Sequence, residues 1–97
     1  TQLDPPDAVP HVFELEANYP NPFNPSTKIN FTLARSGPAA LEVYNVTGEK
    51  VATLVSKSLP AGRHTVSFDA SGLSSGVYVY RLRSGAYTAS RAMVLLR

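Results

Sequence analysis

The segment G-V-Y-V-Y-R-L-R, residues 76–83, is the most strongly strand-like stretch of this 97-residue chain. Aromatic and β-branched residues fill it, and successive side chains of a β-strand point to opposite sides. The side chains predicted to face inward are Tyr78, Tyr80 and Leu82. The two valines and Arg81 between them would occupy the opposite face. Ser84 and Gly85 then predict a tight hairpin turn.

Six other segments have strand-like patterns and are separated by turn signals. They cover residues 12–17, 28–34, 40–46, 50–55, 63–69 and 87–96. The connections include a turn at 36–38, the hairpin signal N-V-T-G-E with Gly48 at positive φ, and loops over 56–62 and 70–76. No helical period of 3.6 residues persists over a long stretch. Seven strands at intervals of roughly 8–14 residues predict an all-β fold, a seven-stranded antiparallel immunoglobulin-like β-sandwich.

Alternation also predicts which side chains of the other strands face the core. They are Phe13, Leu15, Ala17, Ile29, Phe31, Leu33, Leu41, Val43, His64, Val66 and Phe68. Glu14 and Glu16 are expected on the solvent face of an edge strand. His64 is interpreted as a partly buried, hydrogen-bonded side chain. The last strand has apolar residues on both faces over 93–96, which fits either burial or docking to a partner.

The first two predicted strands are separated by a proline-rich motif, N-Y-P-N-P-F-N-P, at residues 18–25. Its prolines provide no amide donors, so the motif cannot form a central strand. We expect an ordered, irregular loop that is pinned by Tyr19 and Phe23. Within it, Asn21 and Asn24 are expected to form side-chain-to-backbone turns.

The first residues of the chain are rich in proline and aspartate. Such a composition is typical of a stiff, extended and solvated segment. We interpret residues 1–11 as the end of an interdomain linker and residues 12–97 as one domain. Since the chain opens with Thr1 rather than methionine, we expect it to be part of a longer precursor.

Composition excludes several classes of protein. Cysteine is absent, so disulfides and thiolate metal sites have no part in the fold. The nine lysines and arginines are scattered and give a net charge of only +2, whereas a nucleic-acid-binding face needs clustered positive charge. The longest apolar run, residues 92–96, is far too short for a transmembrane helix.

The sequence also lacks a recognisable catalytic constellation. The only histidines are His11 and His64, and there is no G-x-S-x-G nucleophile elbow, calcium loop or phosphate-binding glycine motif. The N-F-T and N-V-T sequons at Asn30 and Asn45 lie in or beside predicted strands and are interpreted as chance matches. We therefore expect no enzyme activity, no cofactor and no metal ion.

Sugar binding by aromatic stacking is the main binding function that composition leaves open. The aromatic side chains available for stacking are Tyr19, Phe23, Tyr44, Tyr78, Tyr80 and Tyr87. Most of them occupy predicted core or loop-pinning positions, and the chain has no tryptophan. A carbohydrate-binding accessory module of a secreted glycoside hydrolase is accordingly one alternative function, and a structural immunoglobulin-like spacer is another.

Four motifs, in this order, resemble those of the C-terminal sorting domains of the type IX secretion system, also called Por secretion. The first is the N-Y-P-N-P-F-N-P loop, and the second is V-Y-N-V-T-G-E-K-V at 43–51. The third runs from Gly62 through D-A-S-G-L-S-S-G-V-Y, and the fourth is M-V-L-L-R at 93–97. The candidate sorting-signal residues are Asn18, Tyr19, Pro20, Asn21, Pro22, Phe23, Asn24, Pro25, Gly48, Gly76, Tyr78, Arg91, Met93, Val94, Leu95, Leu96 and Arg97.

The resemblance implies a non-catalytic domain that directs a secreted cargo through the periplasm and across the outer membrane to the cell surface. Its implied partners are the outer-membrane translocon, a sortase-like peptidase and the upstream cargo domain of the same precursor. A polysaccharide-degrading hydrolase is one candidate for that cargo, and cleavage is expected in or near residues 3–10, because proteases need an extended, exposed chain. A related immunoglobulin-like domain is structural in the flagellar hook-capping protein; the terminal position of Arg97 favours sorting over that role.

Overall fold

The computed structural model describes residues 12–97, which form seven β-strands. The strands are β1 (Glu14–Leu15), β2 (Ser26–Leu33), β3 (Gly37–Tyr44), β4 (Lys50–Leu59), β5 (Gly62–Asp69), β6 (Gly76–Ser84) and β7 (Tyr87–Leu95). This part of the chain contains no helix, and hence none that could cross a membrane. The predicted linker, residues 1–11, lies outside the described residues.

The strands form two antiparallel sheets that share one hydrophobic core. One sheet has the order β1-β2-β5 and the other the order β4-β3-β6-β7. The chain passes from one sheet to the other between β2 and β3, between β4 and β5, and between β5 and β6. The predicted seven-stranded immunoglobulin-like β-sandwich is therefore confirmed.

The core contains most of the side chains that alternation predicts. Its fully buried members include Ile29, Phe31, Leu33, Leu41, Val43, Tyr80, Leu82, Met93 and Leu95. Tyr78 and Phe68 are also buried, so the predicted inner faces of β5 and β6 are confirmed. The prediction for Ala17 is wrong, because β1 ends at Leu15 and the alanine beyond it is exposed.

Two strand boundaries differ from the sequence prediction by three or more residues, and the others by one or two at most. β4 continues to Leu59, where a loop is predicted from residue 56, and β3 begins at Gly37, where a turn is predicted. The two strands pair along this whole stretch, with Gly37 opposite Leu59. Pro38 is tolerated in β3 because pairing with β6 begins only at Ala40, which leaves one side of the strand free at the proline.

β1 is an edge strand, as predicted, and its Glu14 is exposed. Two side chains of the four-stranded sheet attach this strand to that sheet through hydrogen bonds. The Tyr80 hydroxyl donates to the carbonyl oxygen of Glu16 at 2.6 Å. Nε of Arg91 donates to the carbonyl oxygen of Leu15, also at 2.6 Å. Burial raises the pKa of Tyr80, which keeps its hydroxyl protonated as a donor. These bonds close the edge of the sandwich between β1 and β7.

The sandwich has two ends, which we call upstream and downstream. The upstream end contains the start of β1 and the connections 34–36, 60–61 and 85–86. The downstream end contains the loop 18–25, the hairpin turn 45–49, the connection 70–75 and residues 96–97. The β2–β5 register relates the two, with Leu33 opposite Gly62 at the upstream end and Ser26 opposite Asp69 at the downstream end.

Candidate functional site

Each of the four sequence motifs has a segment at the downstream end of the sandwich. The proline loop precedes β2, and V-Y-N-V-T-G-E-K-V forms the β3–β4 hairpin. The D-A-S-G-L-S-S-G segment joins β5 to β6, and M-V-L-L-R ends β7. Antiparallel pairing thus brings together segments that are far apart in the sequence.

The proline loop is docked against the edge of β7. Phe23 is only 2% exposed; its N–H donates to the carbonyl oxygen of Val94 at 2.9 Å, and its carbonyl oxygen accepts from the Leu96 N–H at 3.0 Å. Oδ1 of Asn21 accepts a 2.9 Å hydrogen bond from the Val94 N–H. These bonds form a short parallel bridge, Phe23 opposite Leu95, that covers the end of an edge strand.

Inside the loop, Asn18 and Thr27 form a buried network. Nδ2 of Asn18 donates to the Pro20 carbonyl oxygen at 3.1 Å and to Oγ1 of Thr27 at 3.0 Å. Oγ1 of Thr27 donates in turn to the Pro20 carbonyl oxygen at 2.9 Å. All three Xaa-Pro peptide bonds of the loop are cis. The sequence does not predict this network, because its only signal is an asparagine just ahead of a proline-rich run.

Two predictions for this loop are wrong. Tyr19 does not pin the loop, because it is 80% exposed. Its backbone pairs with that of Lys28, whose side chain is exposed, and paired residues of neighbouring strands point to the same side. Phe23 is therefore the aromatic residue that anchors the loop. Asn24 is exposed and makes no side-chain hydrogen bond within residues 12–97. Asn21 bonds to β7 instead of closing a local turn.

Arg97 fastens the end of the chain to the β5–β6 connection. Its Nη1 donates to the carbonyl oxygens of Ala70 and Leu73 at 3.2 and 2.8 Å. The same nitrogen also donates to the carbonyl oxygen of Ser71. The backbone N–H of Arg97 donates to Oγ of Ser75 at 2.9 Å. The connection therefore presents three carbonyl oxygens to one cationic group, an arrangement that no local pattern in the sequence predicts.

Asp69 stabilises the same connection at the end of β5. Its Oδ1 accepts hydrogen bonds from the N–H and the hydroxyl of Ser71, at 3.0 and 2.6 Å. These two bonds, with a smaller contribution from the positive charge of Arg97, lower the pKa of the Asp69 carboxyl group. The carboxylate is thus ionised at neutral pH and holds the first turn of the connection.

The β3–β4 hairpin turn has the predicted conformation. Gly48 has a φ of +88°, a backbone conformation that residues other than glycine rarely adopt. Oδ1 of Asn45 accepts from the N–H and Oγ1 of Thr47 and from the N–H of Glu49. The asparagine of this sequon is therefore occupied in closing the turn, while Val46 at its tip is exposed.

A comparison with protein-family models matches residues 17–96 to the family described as the secretion system C-terminal sorting domain. The match extends from the proline loop to the segment that follows β7. The chain belongs to the type IX secretion C-terminal sorting domain family. A search of the curated proteins found no match. Membership identifies the chain as a C-terminal sorting signal for type IX secretion, and implies a protein exported to the cell surface or the extracellular space.

Buried and exposed side chains alternate at the end of β7 in this sorting domain. Met93 and Leu95 are fully buried, whereas Val94 is half-buried and Leu96 is 54% exposed. Because successive side chains of a strand alternate, burial of the first pair directs the second pair outward. Val77, opposite Val94 in β6, is exposed on the same outer face. Burial is therefore confirmed for Met93 and Leu95, whereas docking of the outward pair to a partner stays a prediction.

Exposed large apolar side chains are concentrated at the downstream end of the sorting domain. Among residues 12–97 they are Val12, Tyr19, Val46, Val77 and Leu96. All of them except Val12 lie at or beside the downstream end. Single exposed apolar residues are ordinary on a protein surface, but their grouping beside the family motifs favours a contact surface there.

The remaining candidate residues of the sorting domain, apart from Arg91, lie beneath or beside the downstream end. Tyr78 is buried, and Gly76 opens β6 opposite Leu95. Arg91 contacts β1 through its bond to Leu15 rather than reaching the downstream end. The exposed members of the proline loop other than Tyr19 are Pro20, Asn21, Pro22, Asn24 and Pro25.

A charged network covers the middle of the outer face of the four-stranded sheet. Glu42 accepts a 2.8 Å hydrogen bond from the Tyr44 hydroxyl and forms ion pairs with Lys50 and Arg83 at 3.3 and 3.4 Å. The Tyr44 hydrogen bond and the two cations lower the pKa of Glu42, against the opposing effect of burial. Arg81 lies 4.8 Å from the centre of the Tyr44 ring and donates to its hydroxyl. No local pattern in the sequence predicts this network, since its members lie on three different strands.

His64 has the structural role that the sequence predicts. It is half-buried, its ring stacks on Phe31, and its Nε2 lies 2.8 Å from the Pro60 carbonyl oxygen. The second histidine, His11, lies outside the described residues. Within residues 12–97, no cluster of three or more histidine, aspartate or glutamate side chains could hold a metal ion.

Proposed function

We propose that this domain directs an upstream cargo across the outer membrane through the type IX translocon, and that the downstream end is the face that the translocon recognises. The observation that carries the proposal is the convergence of segments from the four family motifs on this one end. Exposed side chains from three motifs, Tyr19, Val46 and Leu96, surround it. An address that another protein reads needs an ordered and exposed surface of this kind.

The position of the site relative to the first strand supports this proposal. Val12 and the start of β1 lie at the upstream end, and a nine-residue strand such as β6 is about 30 Å long. Cargo attached at the upstream end would therefore leave the downstream end accessible to a large membrane protein. A sortase-like peptidase acting in or near residues 3–10, which are outside the described residues, would work at the upstream end. Recognition and cleavage would then be separated in space.

In this proposal, residues 1–11 are a linker, and residues 12–97 act as a non-catalytic address that needs no cofactor. The cargo that precedes them is delivered to the cell surface, and a polysaccharide-degrading hydrolase is one candidate for it. Recognition depends on the outer surface of the folded sandwich, while the buried half of the terminal strand holds that surface in shape.

A secretion assay in a bacterium with the type IX system tests the proposal. Residues 1–97 fused to a periplasmic reporter are expected in the medium or on the cell surface, and retention inside the outer membrane rejects the proposal. Val46→Ser and Leu96→Ser should lower secretion. Val12→Ser, which alters a similarly exposed valine at the upstream end, should leave it unchanged. Equal secretion of all three variants would mean that the downstream end is not the recognised face.

Removal of residues 91–97 is expected to abolish export, but it does not distinguish recognition from folding. The deletion takes away Met93 and Leu95, which are fully buried, and should destabilise the whole sandwich. The single exposed substitution Leu96→Ser avoids this difficulty. A structural spacer makes the opposite prediction, since deletion of the entire domain would then leave the cargo normally localised.

Carbohydrate binding is the second candidate function, and the exposed ring of Tyr19 is the observation that favours it. This ring borders a surface groove with Pro20 and Lys28. The other aromatic candidates are engaged in the fold: Phe23, Tyr78 and Tyr80 are buried, Tyr87 stacks on Phe13, and Tyr44 lies beneath Arg81. Retention on an insoluble polysaccharide that Tyr19→Ala abolishes would support sugar binding, and no retention on any polymer would reject it.

A further inference from the structure

The terminal segment, residues 94–97, is held by the proline loop along the edge of β7 that does not face β6, and it extends beyond its pairing with β6. Pairing between β6 and β7 ends with Gly76 opposite Leu95. Beyond that point, the Leu96 N–H donates to the Phe23 carbonyl oxygen at 3.0 Å. The proline loop therefore takes the place of a neighbouring strand where the terminal segment leaves the sheet.

Asn21 completes this arrangement with a side chain. Its Oδ1 accepts from the Val94 N–H at 2.9 Å, and the Val94 carbonyl oxygen accepts from the Phe23 N–H at 2.9 Å. One loop thus satisfies both backbone polar groups that Val94 presents at the free edge of β7. Asn24, which is exposed in the same loop, has no corresponding hydrogen bond within the described residues.

These bonds help to fix the register of the terminal side chains. A shift of one residue along a strand moves every side chain to the opposite face. In the docked arrangement Leu95 is fully buried and Leu96 is largely exposed. Pairing with β6 holds this register as far as Leu95, and the loop extends it to Leu96 at the downstream end.

We propose that Asn21 is a positioning residue for the recognised surface, acting through Val94 to keep the terminal segment docked in the form that the translocon binds. This inference rests on the proposed function and adds to it a role for the proline loop. Asn21 acts on Val94 only as a hydrogen-bond acceptor. A carboxylate at the same position keeps an acceptor oxygen, so Asn21→Asp is the conservative variant.

The first test measures docking in the full 97-residue chain by amide hydrogen exchange. Exchange of the Val94 amide should become about tenfold faster in Asn21→Ala, because one hydrogen bond of a frayed strand end is lost. Asn21→Asp and the matched control Asn24→Ala should keep the original rate. The urea midpoint should change little in all three variants, since both asparagines are exposed. An unchanged Val94 rate in Asn21→Ala would overturn the inference.

The second test uses the same variants fused to the periplasmic reporter. Asn21→Ala should be secreted several-fold less than the unaltered fusion, while Asn21→Asp and Asn24→Ala should be secreted normally. Normal secretion of Asn21→Ala despite faster exchange would overturn the inference and leave the proposed function intact. Increased secretion of Asn21→Ala would overturn it as well, because the translocon would then bind the terminal segment in its undocked form. Failure of the unaltered fusion to be exported would instead reject the proposed function itself.

Discussion

The hydroxyl group of Tyr78 donates a 2.7 Å hydrogen bond to the carbonyl oxygen of Ser74, four residues before it. A tyrosine near the start of the sixth strand, bonded back to the preceding corner, is a recurring feature of immunoglobulin-like sandwiches. In this domain the corner is the connection that also receives the side chain of Arg97. Tyr78 thus links the buried core to the downstream end and supports the candidate recognition surface from below.

Substitutions of Tyr78 should separate the contribution of its ring from that of its hydroxyl. Tyr78→Ala removes a side chain that is 6% exposed and should lower the free energy of unfolding by about 3–5 kcal/mol. Tyr78→Phe removes only the bond to Ser74 and should cost about 1 kcal/mol. Urea denaturation measures both, and Tyr19→Phe, on an exposed ring, should leave the midpoint unchanged. A Tyr78→Ala variant as stable as the original domain would contradict the packing described above.

Gly48→Ala should destabilise the domain by about 1–2 kcal/mol, because an L side chain at a φ of +88° is strained even where space surrounds it. Gly72→Ala is the matched control, since an added Cβ there also meets nothing within 4 Å but needs no left-handed backbone. The control should be neutral or slightly stabilising. Equal urea midpoints for the two variants would mean that the hairpin does not depend on the backbone conformation of Gly48.

Features that depend on neighbouring residues could be predicted from the sequence. Alternation predicts burial of Ile29, Phe31 and Leu33, because the two-residue period of a strand is a local property. The positive φ of Gly48 follows from turn chemistry, which is also local. The order of the four motifs leads to the family, which the match over residues 17–96 confirms.

Features that depend on distant segments could not be predicted in this way. Asn21 and Val94 are 73 positions apart, and nothing near either residue specifies the other. Residues 56–59 have a loop-like composition, yet pairing with β3 makes them a strand. The ring of Tyr19 points outward because its backbone pairs with Lys28, a contact that the loop motif alone does not reveal. The fold class is thus recoverable from the sequence, whereas the docking that builds the site is not.

Acid should destabilise the domain partly through Glu42. Its pKa is lowered in the folded state, first by the hydrogen bond from Tyr44 and then by the two neighbouring cations, which together outweigh burial. As the pH falls through the ordinary carboxyl range, the unfolded state therefore binds more protons than the folded state. The stability that Glu42 contributes is present above its unfolded pKa and is lost as the pH falls through its lower folded pKa.

Urea midpoints at pH 7 and near pH 3 test this dependence. The two midpoints should lie closer together in Glu42→Gln than in the unaltered domain. Glu14→Gln is the control, because Glu14 is exposed and forms no ion pair within the described residues. Some acid sensitivity should persist in Glu42→Gln, since the pKa of Asp69 is also lowered. If the urea midpoint falls as far between pH 7 and pH 3 in Glu42→Gln as in the unaltered domain, Glu42 does not contribute to the acid sensitivity.

Arg97→Ala should lower the free energy of unfolding by about 1–2 kcal/mol, because three carbonyl oxygens of the β5–β6 connection lose their donor. All three bonds converge on Nη1, so the planar fork of arginine is not required. An ammonium group has three N–H donors, and Arg97→Lys should keep most of the stability. Arg63→Ala, which breaks an exposed ion pair with Glu16, should cost less than about 0.5 kcal/mol in the same urea titration. If both alanine variants lower the free energy of unfolding equally, the hydrogen bonds of Arg97 to the three carbonyl oxygens do not account for its contribution to stability.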